Sequence, residues 1–227
     1  MTVNKLERRW RELIILVVLA VLTTPFFWLT DLDLQAAALF YRPDNGNTPW
    51  PWQEGWLFRI LYQYAFTFTA VVAIGALITA ALGYLKPSLK QLQRPALYIF
   101  LVIVLGPIVV VNLVFKDHWG RPRPVHVSEF GGPHHYVPPL QIGDTDEKSF
   151  PCGHCSVGFA FFSLYFLSRK RKTLYFMLTM AIALTLGLTR MTAGGHFISD
   201  ILWSGYLVFL VAWLTYYGWY ERKQAEQ

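Results

Sequence analysis

The chain has 227 residues, a length that fits one domain. Hydrophobic residues make up 54% of it and charged residues only 15%, whereas soluble domains carry roughly 25% charged residues. The formal net charge is +6, but the basic residues form short clusters between long apolar runs. This distribution argues against a nucleic-acid partner and indicates a membrane protein. Two cysteines are too few for a disulfide-rich scaffold.

Six apolar stretches without Asp, Glu, Lys or Arg occur along the chain, each close to the roughly 17–25 residues of a membrane-spanning helix. The basic and then apolar start resembles a signal peptide, but no small-residue cleavage site follows Val21, which favours a retained helix. The sequence predicts an all-α polytopic protein, with residues 1–227 as a single six-helix domain. The predicted spans are Leu13–Leu29, Ile60–Leu85, Ala96–Phe115, Ser149–Ser168, Thr173–Thr189 and Ile201–Tyr220.

The distribution of Lys and Arg predicts the orientation, because loops on the cytoplasmic side carry an excess of both. Thirteen of the twenty basic residues fall on the side that holds both termini, from Lys5 at the start to Lys223 at the end. We therefore expect cytoplasmic termini and a periplasmic opposite face in a bacterial inner membrane.

The first loop on the periplasmic side predicts a short helix at the membrane surface. Asp31 and Asp33 resemble an N-cap and an acidic first turn, and apolar residues then recur at helical spacing. Trp50, Trp52 and Trp56 follow and are typical of an interfacial aromatic belt. We assign no catalytic role to this loop.

Polar residues gather at the periplasmic ends of the last four predicted spans. Single residues of these types usually anchor a helix or cap it, but several of them on one face of one membrane indicate a site. The basic ones also defy the positive-inside bias. The set comprises Lys116 and Arg123 after the third span, Cys152, Gly153 and His154 at the fourth, Arg190 at the end of the fifth, and His196 and Asp200 at the start of the sixth.

These residue types suit phosphoryl transfer through a histidine. His196 and Asp200 are four residues apart, and a carboxylate bonded to one ring nitrogen leaves the other nitrogen free to attack. His154 is placed to protonate a leaving oxygen. Gly153, at the start of a helix, lets backbone N–H groups approach an anion. Lys116, Arg123 and Arg190 supply positive charge that matches phosphate oxygens.

The same residues carry a family resemblance. The order Lys-x6-Arg-Pro, Pro-Ser-Gly-His and Ser-Arg-x5-His-x3-Asp marks the type 2 phosphatidic acid phosphatase superfamily, which includes bacterial acid phosphatases and vanadium haloperoxidases. This chain resembles its membrane lipid phosphatase branch. Its motifs are Lys116-x6-Arg123-Pro124, then Pro151-Cys152-Gly153-His154, then Thr189-Arg190-x5-His196-x3-Asp200.

The resemblance implies a role for each motif residue. His196 would be the nucleophile, Asp200 its orienting partner, and His154 the general acid and then the base for water. The remaining motif residues would bind phosphate, but Cys152 replaces a serine hydroxyl with a weaker donor. No cofactor is expected, and without a carboxylate cluster we expect a metal-independent enzyme. The phosphate-binding set is Lys116, Arg123, Arg190, Cys152 and Gly153.

The substrate and two rival functions stay open at this point. Candidate substrates in the bilayer are phosphatidic acid, phosphatidylglycerol phosphate, undecaprenyl pyrophosphate and the phosphates of lipid A. A lipid-to-lipid phosphotransferase would use the same residues. Cys152-Gly153-His154-Cys155 also resembles the site of thiol-disulfide isomerases, although the βαβ pattern of their fold is missing around it.

Overall fold

The structure is a computed structural model that describes residues 3–222, with side chains from residue 7 onward. Lys223, the Lys5 side chain and the two ends of the predicted domain 1–227 lie outside this description. Within it the chain is all-helical, and no β-strand forms among the described residues. The described chain begins in α1 (Val3–Leu29) and ends at residue 222, just after the π-helical continuation of α8 (Ile198–Thr215).

Five helices in the described part of the chain are long and apolar enough to cross a membrane. The predicted polytopic all-α class is confirmed. The third span contains Pro107 and continues from α4 as a π-helix to Lys116. The spans are carried by α1, α3 (Trp56–Leu85), α4 (Lys90–Ile103) with its π-helical continuation Val104–Lys116, α7 (Lys172–Thr192), and α8 with its π-helical end Tyr216–Tyr220.

The fourth predicted span is shorter than expected. Residues 149–152 are not helical, and helix α5 (Gly153–Phe159) begins where Cys152 acts as N-cap. After a short break, α6 (Phe162–Leu167) completes an apolar segment from Gly153 to Leu167. The predicted boundaries Ser149–Ser168 were therefore wrong at the start, because hydropathy does not distinguish a buried irregular segment from a helix. Five long spans, and not six, lie within the described residues.

The short α5 lies at the centre of the helix bundle. Its residues are buried except for His154, and its Phe159 belongs to the main apolar core with Val208 of α8 and Val111 of the π-helix. The long helices around it leave many apolar side chains exposed, as expected of surfaces that face lipid tails. His154, at the first turn of this central helix, is its one residue that is not fully buried.

The loops 30–55 and 117–152 form a second small core over the start of α8. Trp50, Val127, Phe130 and Phe197 are buried there against Ala37. The interfacial role expected for Trp50 was wrong, since its side chain is only 4% exposed. The predicted short helix is present as α2 (Leu32–Ala38), but the Asp31 side chain makes no capping hydrogen bond. We call this end of the bundle the loop end.

Candidate active site

His196 and Asp200 meet at the loop end, where α7 gives way to α8. Phe197 is the N-cap of α8, and Asp200 Oδ2 accepts its backbone N–H at 2.8 Å, which fixes the carboxylate at the first turn. His196 is 2% exposed, and its Nδ1 lies 3.4 Å from the same oxygen. Burial lowers the pKa of His196 to about 4. The nearby Asp200 carboxylate raises this pKa, and the positive charge of Lys116 lowers it further. The imidazole is therefore neutral near pH 7.

Lys116 approaches the start of α5 from the end of the π-helix. A side-chain carbon at Gly153 would lie 2.8 Å from Asn112 Oδ1 and 3.3 Å from Lys116 Nζ, so glycine leaves the room that these head groups occupy. Asn112 Nδ2 donates to the Pro107 carbonyl at 2.7 Å, which turns the amide oxygen toward Gly153. Lys116 also interacts electrostatically with Arg123, Arg190 and Asp200. The ammonium thus stands among the predicted site residues.

Arg190 and His154 share one aromatic neighbour, Tyr62 of α3. The Tyr62 ring stacks on His154 with centroids 4.5 Å apart, and the Arg190 guanidinium lies 4.6 Å from the same ring. Phe66 meets the edge of His154 at 4.7 Å. A side chain at Gly195 would collide with the guanidinium, so the chain before His196 makes room for it. Arg190 Nε is buried and has no hydrogen-bond partner among the described residues.

Arg123 lies at the mouth of this group. Its Nε is 3.7 Å from Glu147 Oε2, beyond hydrogen-bond distance, and Glu147 lies 2.8 Å from His126 Nδ1. Like Arg190, the Arg123 Nε is buried without a hydrogen-bond partner in the described chain. Within the described chain no carboxylate lies at hydrogen-bond distance from Lys116, Arg123 or Arg190, so their positive charge is available to an anionic ligand.

Arg121, in contrast, forms ion pairs with two carboxylates. It is fully buried, and its Nη1 donates to Asp200 Oδ1 and, at 2.9 Å, to Ser199 Oγ. Its Nη2 donates to Asp33 Oδ2 at 2.8 Å, and its Nε to the Val137 carbonyl at 2.7 Å. Burial alone would lower the pKa of Arg121, but Asp200 and Asp33 outweigh it and raise that pKa. The guanidinium stays charged and holds Asp200.

Asp33 and Ser149 complete the support of Asp200. Asp33 is fully buried and accepts the Ser199 N–H at 3.0 Å and the Tyr136 hydroxyl at 2.9 Å. Ser149 Oγ donates to Asp200 Oδ2 at 2.7 Å. The aspartate that faces His196 is thereby tied to α2, to the 117–152 loop and to its own helix, so its position depends on all three.

Cys152 and Cys155 are joined by a disulfide and are both fully buried. In this state Cys152 has no S–H to donate to a phosphate; its sulfur instead accepts the Cys155 N–H at 3.3 Å. Thiol-disulfide exchange needs a sulfur that a partner thiolate can reach. Because both sulfurs are buried, the structure does not favour the isomerase interpretation.

Comparison with known proteins gives the family. Residues 95–224 match the model of the PAP2 superfamily. The chain belongs to this superfamily. It is 34% identical over 218 residues to a lipid A 4'-phosphatase of Francisella tularensis subsp. novicida (strain U112), a match that covers 92% of this chain and 97% of that protein. The family resemblance carried by the three motifs is thus confirmed, and the chain is a bacterial membrane lipid phosphatase.

Further relatives carry similar names. The chain is 32% identical over 198 residues to a lipid A 4'-phosphatase of Rhizobium etli, covering 84% of this chain and 75% of that protein. It is 32% identical over 124 residues to a lipid A 1-phosphatase of the same organism, covering 55% of this chain and 46% of the relative. No solved structure matches the chain significantly.

Sequence reasoning named the motif residues but missed those that hold them. Asn112 had a signal, because it is an amide in an otherwise apolar run and lies four residues before Lys116. Ser149 was assigned to a helix. Arg121 was counted only as a basic loop residue, and Asp33 only as a first-turn acid, because nothing in the sequence pairs positions 88 residues apart.

Proposed function

We propose that this lipid phosphatase removes a phosphate from lipid A, at the 4' position, through a phospho-histidine on His196. The observation that carries the chemistry is a buried neutral histidine beside Lys116, Arg123 and Arg190, none of which has a carboxylate at hydrogen-bond distance among the described residues. Support for the substrate comes from the relatives. The 4'-phosphatases align over three quarters or more of their length, whereas the 1-phosphatase aligns over less than half.

In the first step the phosphate monoester lies among the three cations and the Gly153 backbone. His196 Nε2 attacks phosphorus while Asp200 stabilises the imidazolium through Nδ1. The bond from phosphorus to the sugar oxygen breaks, and His154 gives its proton to that oxygen. The cations stabilise the charge on the transferring group, so we expect the reaction to need no metal.

In the second step water replaces the sugar. His154 has lost its proton and now accepts one from a water molecule that attacks the phosphorus of phospho-His196. The P–N bond breaks, the phosphate leaves and His196 returns to its neutral form. Tyr62 and Phe66, which hold the His154 ring on two sides, keep it oriented for both proton transfers.

Arg121 acts as a positioning residue in this scheme. It binds Asp200 Oδ1 and leaves Oδ2 to face His196, and Asp33 holds Arg121 from the opposite side. Without Arg121 the carboxylate would rotate, and its full negative charge would act on His196. The arrangement therefore sets both the direction of the histidine and its basicity.

For the topology we propose that α5 and α6 together form a sixth crossing of the bilayer. The chain must return from the loop end after residue 152 to reach the start of α7, and Gly153–Leu167 is the apolar segment that connects them. The basic clusters favour cytoplasmic termini, an inner-membrane location and a site that faces the periplasm. We further propose that the whole chain, residues 1–227, is one domain.

The test is phosphate release by purified protein in detergent with EDTA, from lipid A, its 1-phosphate and 4'-phosphate forms, phosphatidic acid, phosphatidylglycerol phosphate and undecaprenyl pyrophosphate. We expect release from the 4' position to be fastest and to disappear in His196→Ala. Faster release from another lipid would overturn the substrate. Loss of the lipid phosphate only in the presence of an acceptor lipid, with the phosphate recovered on that acceptor, would favour the phosphotransferase. Release without EDTA but not with it would refute metal independence.

A further inference from the structure

Directly beneath the phosphate site, the helices leave an apolar groove that no motif explains. It has a volume of about 300 Å³ and is bounded by α3, α5 and α7. Its lining contains no charged side chain; Tyr64 and Thr69 are its polar members. A groove of this kind suits a hydrocarbon chain and not a headgroup.

Each wall of the groove starts next to a residue of the site. On α7, Leu186 and Ile182 stand four and eight residues before Arg190. On α5, Val157 stands three residues after His154; Phe161, in the break after this helix, also lines the groove. Residues at these spacings share a helix face, so the groove continues the site into the bilayer.

The groove opens sideways to the lipid. Its floor is buried, with Val157 3% and Leu186 6% exposed, whereas Phe68 at its rim is 58% and Ile182 is 41% exposed. A lipid chain can therefore enter from the membrane without passing through the protein. Another apolar cavity, of about 320 Å³, lies along α1 and as far as Glu12, and α1 carries none of the proposed site residues.

A second cavity of about 170 Å³ follows the first and shares three of its lining residues, Thr69, Val157 and Phe161. The Phe161 ring stacks with Phe68 at 6.3 Å between centroids. Measured along α3 from Tyr62 of the site, the first groove extends about 10 Å to Thr69 and the joined grooves about 15 Å to Val72. The longer path is about half of the ~30 Å hydrocarbon core.

From this continuity we propose that the groove binds one acyl chain of the lipid whose phosphate lies on Arg190, and that Phe161 limits the chain length. The inference rests on the proposed function. A chain that fits the first compartment buries its methylenes against Val157 and Leu186. A longer chain meets Phe161 and must bend into the bilayer.

The first test fills or lengthens the groove. Ile182→Trp places an indole at the rim, and Phe161→Ala joins the two compartments. Leu188→Trp is the matched control, because Leu188 is an equally exposed aliphatic residue of the same helix (43%) and does not line the groove. Kinetics are measured with glucosamine 4-phosphates that carry short, medium or long acyl chains, and with the chain-free sugar phosphate.

We expect Ile182→Trp to raise KM for the medium and long substrates about tenfold, as for a loss of contact with a few methylenes, and to leave the chain-free substrate unchanged. Phe161→Ala should move the preferred chain to a longer one, and Leu188→Trp should behave as wild type. Equal kinetics of wild type and Ile182→Trp for all chain lengths would refute acyl-chain binding in the groove and leave the proposed phosphatase function intact. No release by wild type from any lipid would instead refute the proposed function.

Direct labelling keeps the inference testable if a variant fails to fold. A lipid phosphate with a diazirine on its acyl chain is photolysed in nanodiscs with His196→Ala, and the labelled residues are mapped. Labels concentrated on Ala65, Thr69 and Ile182 are expected. Labels spread over outward-facing residues of α1 and α8, with none in the groove, would overturn the proposal.

Discussion

Two buried ionic clusters lie at opposite ends of the helix bundle, and only one of them has the makings of an active site. The Glu12 cluster surrounds one carboxylate, which accepts the hydroxyls of Tyr165 and Tyr217, each at 2.8 Å, and Arg8 Nε at 3.2 Å. Lys172 Nζ lies 3.6 Å from the same carboxylate and 4.4 Å from the Tyr165 ring. Here every charge faces a counter-charge or an aromatic surface, which joins α1, α6, α7 and the end of α8.

The His196 site separates its charges instead. Arg121 binds Asp200 and Asp33, and Arg123 lies 3.7 Å from Glu147, but Lys116 and Arg190 have no carboxylate partner among the described residues. Buried charges therefore do not by themselves identify an active site. An excess of positive charge beside a neutral nucleophile does identify one, because that charge can be balanced by an anionic ligand.

The largest expected difference between the two clusters follows from removing their central residues. His196→Ala should lower kcat at least about 10⁴-fold, since the covalent step is lost. Glu12→Gln should leave kcat within about twofold and lower the thermal stability. Phosphate release and unfolding temperature, measured on both variants in one detergent, check this. A large kcat loss in Glu12→Gln would end the distinction.

Exchanging arginine and lysine in each cluster tests whether the geometry of the cation matters as well as its charge. Arg190→Lys keeps the charge but loses the planar fork that grips two phosphate oxygens, so we expect kcat/KM to fall about 10²-fold. Lys172→Arg, the matched exchange in the Glu12 cluster, should change kcat/KM less than twofold. Steady-state kinetics with the 4'-phosphate substrate measure both changes. Equal losses of kcat/KM in the two variants would contradict a role specific to Arg190.

Arg121 should affect the pH dependence as well as the rate. In wild type, kcat/KM should fall on the acid side only as His196 gains a proton, near its lowered pKa of about 4. In Arg121→Met the freed charge of Asp200 favours the protonated ring, so the acid limb should move to higher pH, and kcat should drop about 10–100-fold. Asp33→Asn is a milder disturbance of the same network. A lower kcat with an unmoved acid limb would make Arg121 merely structural.

The smallest effect is expected at the disulfide. In the double variant Cys152→Ser with Cys155→Ala, the hydroxyl of the family motif returns as a donor to phosphate, and KM should fall about three- to tenfold. Cys155→Ala alone breaks the disulfide without adding a hydroxyl and serves as control. The same gain in both variants would mean that opening the disulfide matters and the hydroxyl does not.

The residues that bind and transfer phosphate could be predicted from the sequence more completely than the residues that hold them in place. Lys116, His154, Arg190 and His196 could be named because helix periodicity and topology bring helix ends to one face. Arg121 and Asp33 could not be paired, since their contact depends on how two loops fold over α8. The start of α5 was misplaced because residues 149–152 are as buried as a helix, with Ser149 bound to Asp200.

The central claim is that the phosphoryl group passes through His196, and trapping it is the most direct test. His154→Ala lacks both the acid for the leaving oxygen and the base for water, so it is mixed with an acyl-chain-bearing nitrophenyl phosphate labelled in its phosphate, whose leaving oxygen needs no proton, and quenched in alkaline detergent. We expect protein-bound label that is stable in alkali, lost in acid and located on His196, and no label in the His154→Ala, His196→Ala double variant. Label on another residue, or rapid turnover without any labelled protein, would contradict it.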